Sequence, residues 1–323
     1  MQDFETLAQM VINEDSQLGT VPLYADGVFQ KLPITLDSVT DRIAERLMAL
    51  LERRAESMPS LLFLWGPCRV GSTALLNVFA ESGFQAIYQP IKNLLRAELA
   101  QSSRSGNGKT PPEFPLTLPI TVIKETSGPY TVAECLFNPL ETLLKSGFPP
   151  SKIRLIVLAR EPGHMLASWT RKWSSRIPPS CLYAHFLLAR LNERRIRNTA
   201  EQASIPVTNF RSTLGTESAS AIKTLFESVG IADHFSPARL TGWKGTSPLH
   251  GSFSSITFPQ EPKPFELPNL HDPLDGYGVR NRDFYAPSDV PVDEELFFSY
   301  GLEKLYRLTV ESLSDDRGTG TAG

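Results

Sequence analysis

The stretch LLFLWGPCRVGSTALLNVFAES, residues 61–82, sets the architecture of the chain. Its first five residues are an unbroken apolar run that reads as a strand buried on both faces, and residues 73–82 read as a helix ending at Gly83. Between them lies GPCRVGST (66–73), which has the outline of the phosphate-gripping loop G-x-x-x-x-G-K-[ST] in the strand, loop, helix setting such a loop requires. Ser72 stands where that pattern has its lysine. Loops of this kind work because successive backbone N–H groups and a helix N-terminus surround an anion, while glycine lets the backbone come close. Gly66, Gly71, Ser72 and Thr73 supply that geometry. The lysine that reaches the β- and γ-phosphates in nucleotide hydrolases is gone, which disfavours ATP hydrolysis. Cys68 raises a second option, the phosphatase loop C-x₅-R. Its arginine position is Ala74, so that pattern fails and Cys68 reads as a small loop filler.

Outward from this core, the short apolar runs 84–88, 120–124, 153–159 and 205–210 alternate with helical segments at 131–145, 163–175, 181–202 and 216–229. Strands alternating with helices predict an α/β fold, one domain with a central parallel sheet flanked by helices. An amphipathic helix at 36–57 precedes the first strand, and the Ser-, Gly- and Pro-rich segment 101–119 reads as a surface loop near the active-site edge. Past residue 240 the prolines at 248, 259, 262, 264, 268 and 273 break regular structure before a closing helix at 293–312. The expected organisation is a helical extension over 1–58 packed on the core, a main domain over 59–312 and a disordered tail over 313–323.

Composition excludes several classes. The 323 residues carry 32 Lys and Arg against 35 Asp and Glu, a formal charge of −3, so nothing global points to nucleic acid or to an anionic membrane surface. Three scattered cysteines form neither a disulfide framework nor a paired zinc signature, and no apolar stretch approaches the ~20 residues needed to span a bilayer. The N-terminus lacks a basic region followed by an apolar run, so it is not a secretory signal, and the expectation is a cytoplasmic protein.

A second element lies at IRLIVLAREPGHMLASWTRKW (153–173): a buried strand ending in Arg160, Pro162 at a helix start, and Ser168 eight residues after the arginine. This resembles the 3′-phosphate motif of sulfotransferases that use 3′-phosphoadenosine-5′-phosphosulfate (PAPS), in which a strand-end Arg and a Ser on the next helix grip the 3′-phosphate. The same family carries a lysine-free loop, [KR]-S-G-T-[ST], to which Arg69–Val70–Gly71–Ser72–Thr73 is similar, with Val70 in place of the usual serine and Ser72 of the usual threonine. VIKE (122–125) resembles the strand that ends in a Lys beside the catalytic base, and NFRS (209–212) the segment near the adenosine. The resemblance covers about 61–230.

It implies a P-loop NTPase-like sulfotransferase fold and transfer of a sulfuryl group from PAPS to a hydroxyl or amine of a small molecule or natural product, leaving 3′-phosphoadenosine-5′-phosphate (PAP), without a metal. Arg69, Val70, Gly71, Ser72, Thr73 and Ala74 would line the 5′ side and Arg160 and Ser168 the 3′-phosphate. Phe210 would lie near the nucleoside, and Arg280 or Arg282 of GVRNRDFY (278–285) would close over it. Cations belong where charge grows on the leaving phosphate, which selects Arg69 and Lys124. The acceptor must lose a proton, and Glu125 is the leading base, with His164 and His185 as rivals and His250 and His271 in the Pro-rich segment. Trp169, Trp173 and Phe186 sit at helical spacing and read as core rather than as an acceptor cage. The expected partner is a small-molecule acceptor, with no nucleic acid and no membrane; the oligomeric state is open, a homodimer being one option. The alternatives are a nucleotide or small-molecule kinase with a degenerate loop and a non-catalytic nucleotide-binding scaffold.

Overall fold

The computed structural model describes residues 4–23, 34–52, 58–101, 116, 118–160, 162–211, 218–243 and 276–277. Ser60–Pro67 (β1), Gln85–Tyr88 (β2), Ile120–Ser127 (β3), Ile153–Ala159 (β4) and Val207–Arg211 (β5) form one sheet in the order β2-β3-β1-β4-β5. Every pair is parallel, with β1 paired to β3 from Ser60↔Ile120 through Pro67↔Ser127 and to β4 from Leu61↔Ile153. Residues 61–67 of β1 are all buried, as a central strand covered on both faces must be. The predicted α/β class with a parallel, helix-flanked sheet is what the chain forms.

The helices are Phe4–Ile12 (α1), Leu36–Glu52 (α2), Ser72–Glu81 (α3), Pro90–Gln101 (α4), Val132–Leu136 (α5), Pro139–Lys145 (α6), Pro162–Trp173 (α7), Pro179–Gln202 (α8) and Ser218–Ser228 (α9). The β1-to-β2 crossover steps across the sheet in the opposite sense to the later ones, so right-handed connections put α3 on one face and α4 through α8 on the other. The packing agrees. Phe79 of α3 stacks on Phe226 of α9 at 5.1 Å, while α2 touches both α4 and α6 on the far face. The N-terminal helices lie on that far layer, α1 against α8, with Arg46 bonded to the buried Glu98 of α4 at 2.6 Å.

Three expected boundaries are corrected. The single helix over 131–145 is two, because the Asn138 side chain caps a new start at the N–H of Glu141 and Pro139 occupies the first helical position. β3 continues past residue 124 to Ser127, since its polar end finds partners in α4, α8 and the glycine loop. No helix is expected after β2 from the sequence, yet α4 fills that place, with Ile91, Leu94, Leu95 and Leu99 buried at helical spacing. The expected helix 293–312 and tail 313–323 lie outside the described residues.

Candidate functional site

The glycine loop leaves β1 at the C-terminal edge of the sheet, where open α/β folds place ligands. Two residues turn it back: Arg69 and Gly71 both have left-handed backbones, with φ of 72° and 89°. A side chain at Gly66 would crowd the loop, because a Cβ would meet the Leu158 carbonyl oxygen at 3.0 Å and Val70 at 3.1 Å. The Cys68 N–H donates to the Ser127 carbonyl at 3.0 Å, tying the loop to the end of β3. α3 then starts at Ser72, so its unpaired N-terminal N–H groups and the positive end of its dipole sit at the mouth of the loop. Val70, Ser72, Thr73 and Ala74 are buried, which leaves backbone rather than side chains to grip a ligand.

The second element packs directly onto this loop. Arg69 Nε donates to Ser168 Oγ at 2.9 Å, across 99 positions of sequence, and Arg160 donates to the Arg69 carbonyl at 3.0 Å. The Trp169 indole N–H donates to the Cys68 carbonyl at 2.7 Å. Trp169, Trp173 and Phe186 are buried in edge-to-face contact at 5.3 and 5.4 Å, so they form core, as their spacing implied. Lys172 lies one turn beyond Ser168 on α7. Burial and the neighbouring Arg69 pull its ammonium down to about 8, marking it as a further cation of this site that sequence analysis passed over.

This packing makes Gly128 a sensitive point. A Cβ there would meet the Trp169 ring at 2.3 Å, and its φ is 72°. Gly128→Ala is expected to cost about 2–4 kcal/mol through overpacking and backbone strain, read as a lower urea midpoint. An unchanged midpoint would mean that Trp169 is not wedged against the loop.

Lys124 and Glu125 part company. Adjacent residues of a strand point to opposite faces, and β3 runs through both. Lys124 turns to the α3 face, where Nζ reaches Thr73 Oγ1 at 3.4 Å and lies 3.9 Å from the centre of the Tyr88 ring. It is 3% exposed, and among the described residues no carboxylate is within ion-pair distance. Burial, reinforced by Lys92 and Lys172, pulls its ammonium down to about 7. Glu125 turns to the other face and accepts from the backbone N–H of Ile91 at 2.7 Å and of Lys92 at 3.1 Å. Its carboxylate therefore sits on the N-terminus of α4, and burial pushes it up to about 7 against those two bonds. Glu125, expected as the base, is thus buried against the start of α4, on the face away from Lys124.

The remaining expected residues are scattered. His185 is buried with Nδ1 against the Pro129 carbonyl at 2.7 Å, a core contact, and His164 is exposed on the first turn of α7. Phe210 is buried in β5 opposite Leu158 of β4, near the same sheet edge. Arg280, Arg282, His250 and His271 lie outside the described residues. The chain just before the two arginines is placed: the Tyr277 N–H donates to the Leu240 carbonyl at 2.7 Å, and Arg239 beside Leu240 donates to the Ser82 carbonyl at the end of α3 at 3.3 Å. All three cysteines are free thiols, and no helix among the described residues is long and apolar enough to cross a membrane. Compared with known proteins, the chain matches no family model, no curated protein and no solved structure.

Proposed function

We propose that this protein is a sulfotransferase that binds PAPS at the glycine loop and passes its sulfuryl group to a small-molecule acceptor. One observation carries the reading: the lysine-free loop and the Arg160–Ser168 element, far apart in sequence, meet through the Arg69–Ser168 and Arg160–Arg69 hydrogen bonds. A nucleotide with phosphates at both ends of its ribose suits two adjoining anion grips. The loop N–H groups and α3 N-terminus would hold the 5′ end, and the Arg160 guanidinium with the Ser168 hydroxyl the 3′-phosphate.

Lys124 supports the same reading on energetic grounds. A buried ammonium with a long hydroxyl contact and an aromatic ring is costly in the absence of an anion, and a bound phosphate would relieve that cost. From the Thr73 side of the loop, Lys124 would neutralise the charge that grows on the 5′-phosphate as the sulfur–oxygen bond to it breaks, while Arg69 acts from the loop tip. PAPS supplies the activated sulfuryl group; the protein positions it and offsets charge. In this reading the Glu125 carboxylate holds α4 on the opposite face, and the acceptor's proton leaves to His164, exposed on the first turn of α7, or to solvent water.

The kinase alternative is disfavoured by the same lysine. The Thr73 hydroxyl, which would hold Mg²⁺ in a nucleotide kinase, faces the Lys124 ammonium at 3.4 Å, and a second cation there would be repelled. A thermal-shift panel tests the reading. PAP at 100 times its Kd should add about 2.7 kcal/mol to stability without Mg²⁺, and far more than AMP or ATP at the same concentration. A larger shift with ATP and Mg²⁺ would replace this proposal with the kinase.

A further inference from the structure

The junction between β2 and α4 grips three consecutive residues of β3, the first of them Lys124. The ring of Tyr88, the last residue of β2, lies under the Lys124 ammonium at 3.9 Å. The Gln89 N–H donates to the Lys124 carbonyl at 2.7 Å, and the Gln89 amide Nε2 donates to Thr126 Oγ1. The N–H groups of Ile91 and Lys92 complete the set on Glu125. Lys124 is thus held at its carbonyl and its ammonium, Glu125 at its carboxylate and Thr126 at its hydroxyl.

Gln89 reaches these bonds only by taking a left-handed backbone, with φ of 47°, which is unfavourable for a residue with a side chain and persists where surroundings enforce it. It is buried, at 7% exposure, so solvent does not reward the conformation. The ring beneath Lys124 matters because Nζ has so few polar partners: a π face is one of the few groups that stabilises an ammonium out of water without neutralising it. A carboxylate in that place would quench the charge that a phosphate is meant to meet.

We propose that Tyr88 and Gln89 are positioning residues that keep Lys124 charged and aimed at the glycine loop, Tyr88 through its ring and Gln89 through the backbone of β3. This rests on the anion-binding role given to Lys124 above. Tyr88→Leu should weaken PAP binding about tenfold at pH 7.5 and move the pH above which affinity falls to a lower value, because the charged form of Lys124 loses its seat. Tyr88→Phe, which keeps the ring, should match the wild type in both. Gln89→Gly, which permits the backbone and deletes the amide, should keep the pH midpoint and lose affinity only a few-fold.

The experiment is calorimetric titration of PAP across pH 6–9 for these variants, with Lys124→Met as the control in which the midpoint near 7 is lost and only the one that Lys172 sets near 8 remains. A purely structural Tyr88 would lower thermal stability and leave the midpoint in place, which would overturn the proposal. If the leucine variant does not fold, Tyr88→Met, unbranched and without a π face, takes its place. If the wild type does not bind PAP, the sulfotransferase reading fails by itself. The positioning is then read in the free protein from the NMR titration of the Lys124 side chain, which Tyr88→Leu must shift to lower pH; an unshifted titration overturns the proposal.

Discussion

Lys124→Met is expected to remove high-affinity nucleotide binding while making the unliganded protein more stable. The two effects have one cause. The Lys124 ammonium, held at about 7 in the folded chain, ordinarily titrates at 10.5, so between these values the unfolded chain carries a proton that the folded one has shed. Stability therefore rises as pH climbs from about 7 towards 10.5, by on the order of 5 kcal/mol from this group. Below pH 7 the folded protein bears the full cost of a buried charge, and methionine, with no charge and a comparable stem, removes it. The variant should melt higher at pH 6 than the wild type and lack that component of the alkaline rise. Its affinity for PAP should fall about 30- to 5,000-fold, the range for losing one partner of a buried charge pair. Urea unfolding at pH 6 and 9 with matched calorimetry checks both halves. A variant that is less stable at pH 6 and binds PAP normally would show that Lys124 is a core residue and not an anion ligand.

Arg160→Ala should discriminate between nucleotides. With PAP the loss should be about 2–5 kcal/mol, because a planar guanidinium is removed from a phosphate that keeps its charge. With AMP, which lacks the 3′-phosphate, it should be about 1 kcal/mol, the worth of the hydrogen bond from Arg160 to the Arg69 carbonyl that shapes the loop. The difference between the two losses is the quantity to measure, by competition binding at fixed salt. Equal losses would assign Arg160 to the loop alone.

The central strand, loop and helix were legible because three local signals agree over 61–82: an apolar run too short for a helix, glycines where the backbone turns, and a periodic segment after them. The failures also have local causes. Glu125, Thr126 and Ser127 look like the start of a loop, and only the neighbouring elements make such polar residues a buried strand end. Once β3 is known to continue, period-two alternation sends Lys124 and Glu125 to opposite faces, so their separation follows from the right boundary. α4 was hidden for a related reason. Its Lys92 and Glu98 are buried, ion-paired with Glu134 on α5 and Arg46 on α2, and such tertiary partners leave no mark on the local pattern.

The contacts that define the candidate site were legible only as a pairing of motifs. Nothing local to residue 69 announces that its side chain meets residue 168, and the resemblance supplied the expectation that both surround one ligand. Tyr88 and Gln89 carried no signal, since a left-handed glutamine and a ring under a lysine are visible only in three dimensions.

The most direct test of the central claim is a crystal structure of the full chain soaked with PAP. The 5′-phosphate is expected on the backbone of residues 69–73 within hydrogen-bond reach of Lys124 Nζ, and the 3′-phosphate between the Arg160 guanidinium and the Ser168 hydroxyl, with the Arg69–Ser168 bond opened or shared. A nucleotide bound elsewhere, or a 3′-phosphate facing solvent with the Arg69–Ser168 bond intact, would contradict it.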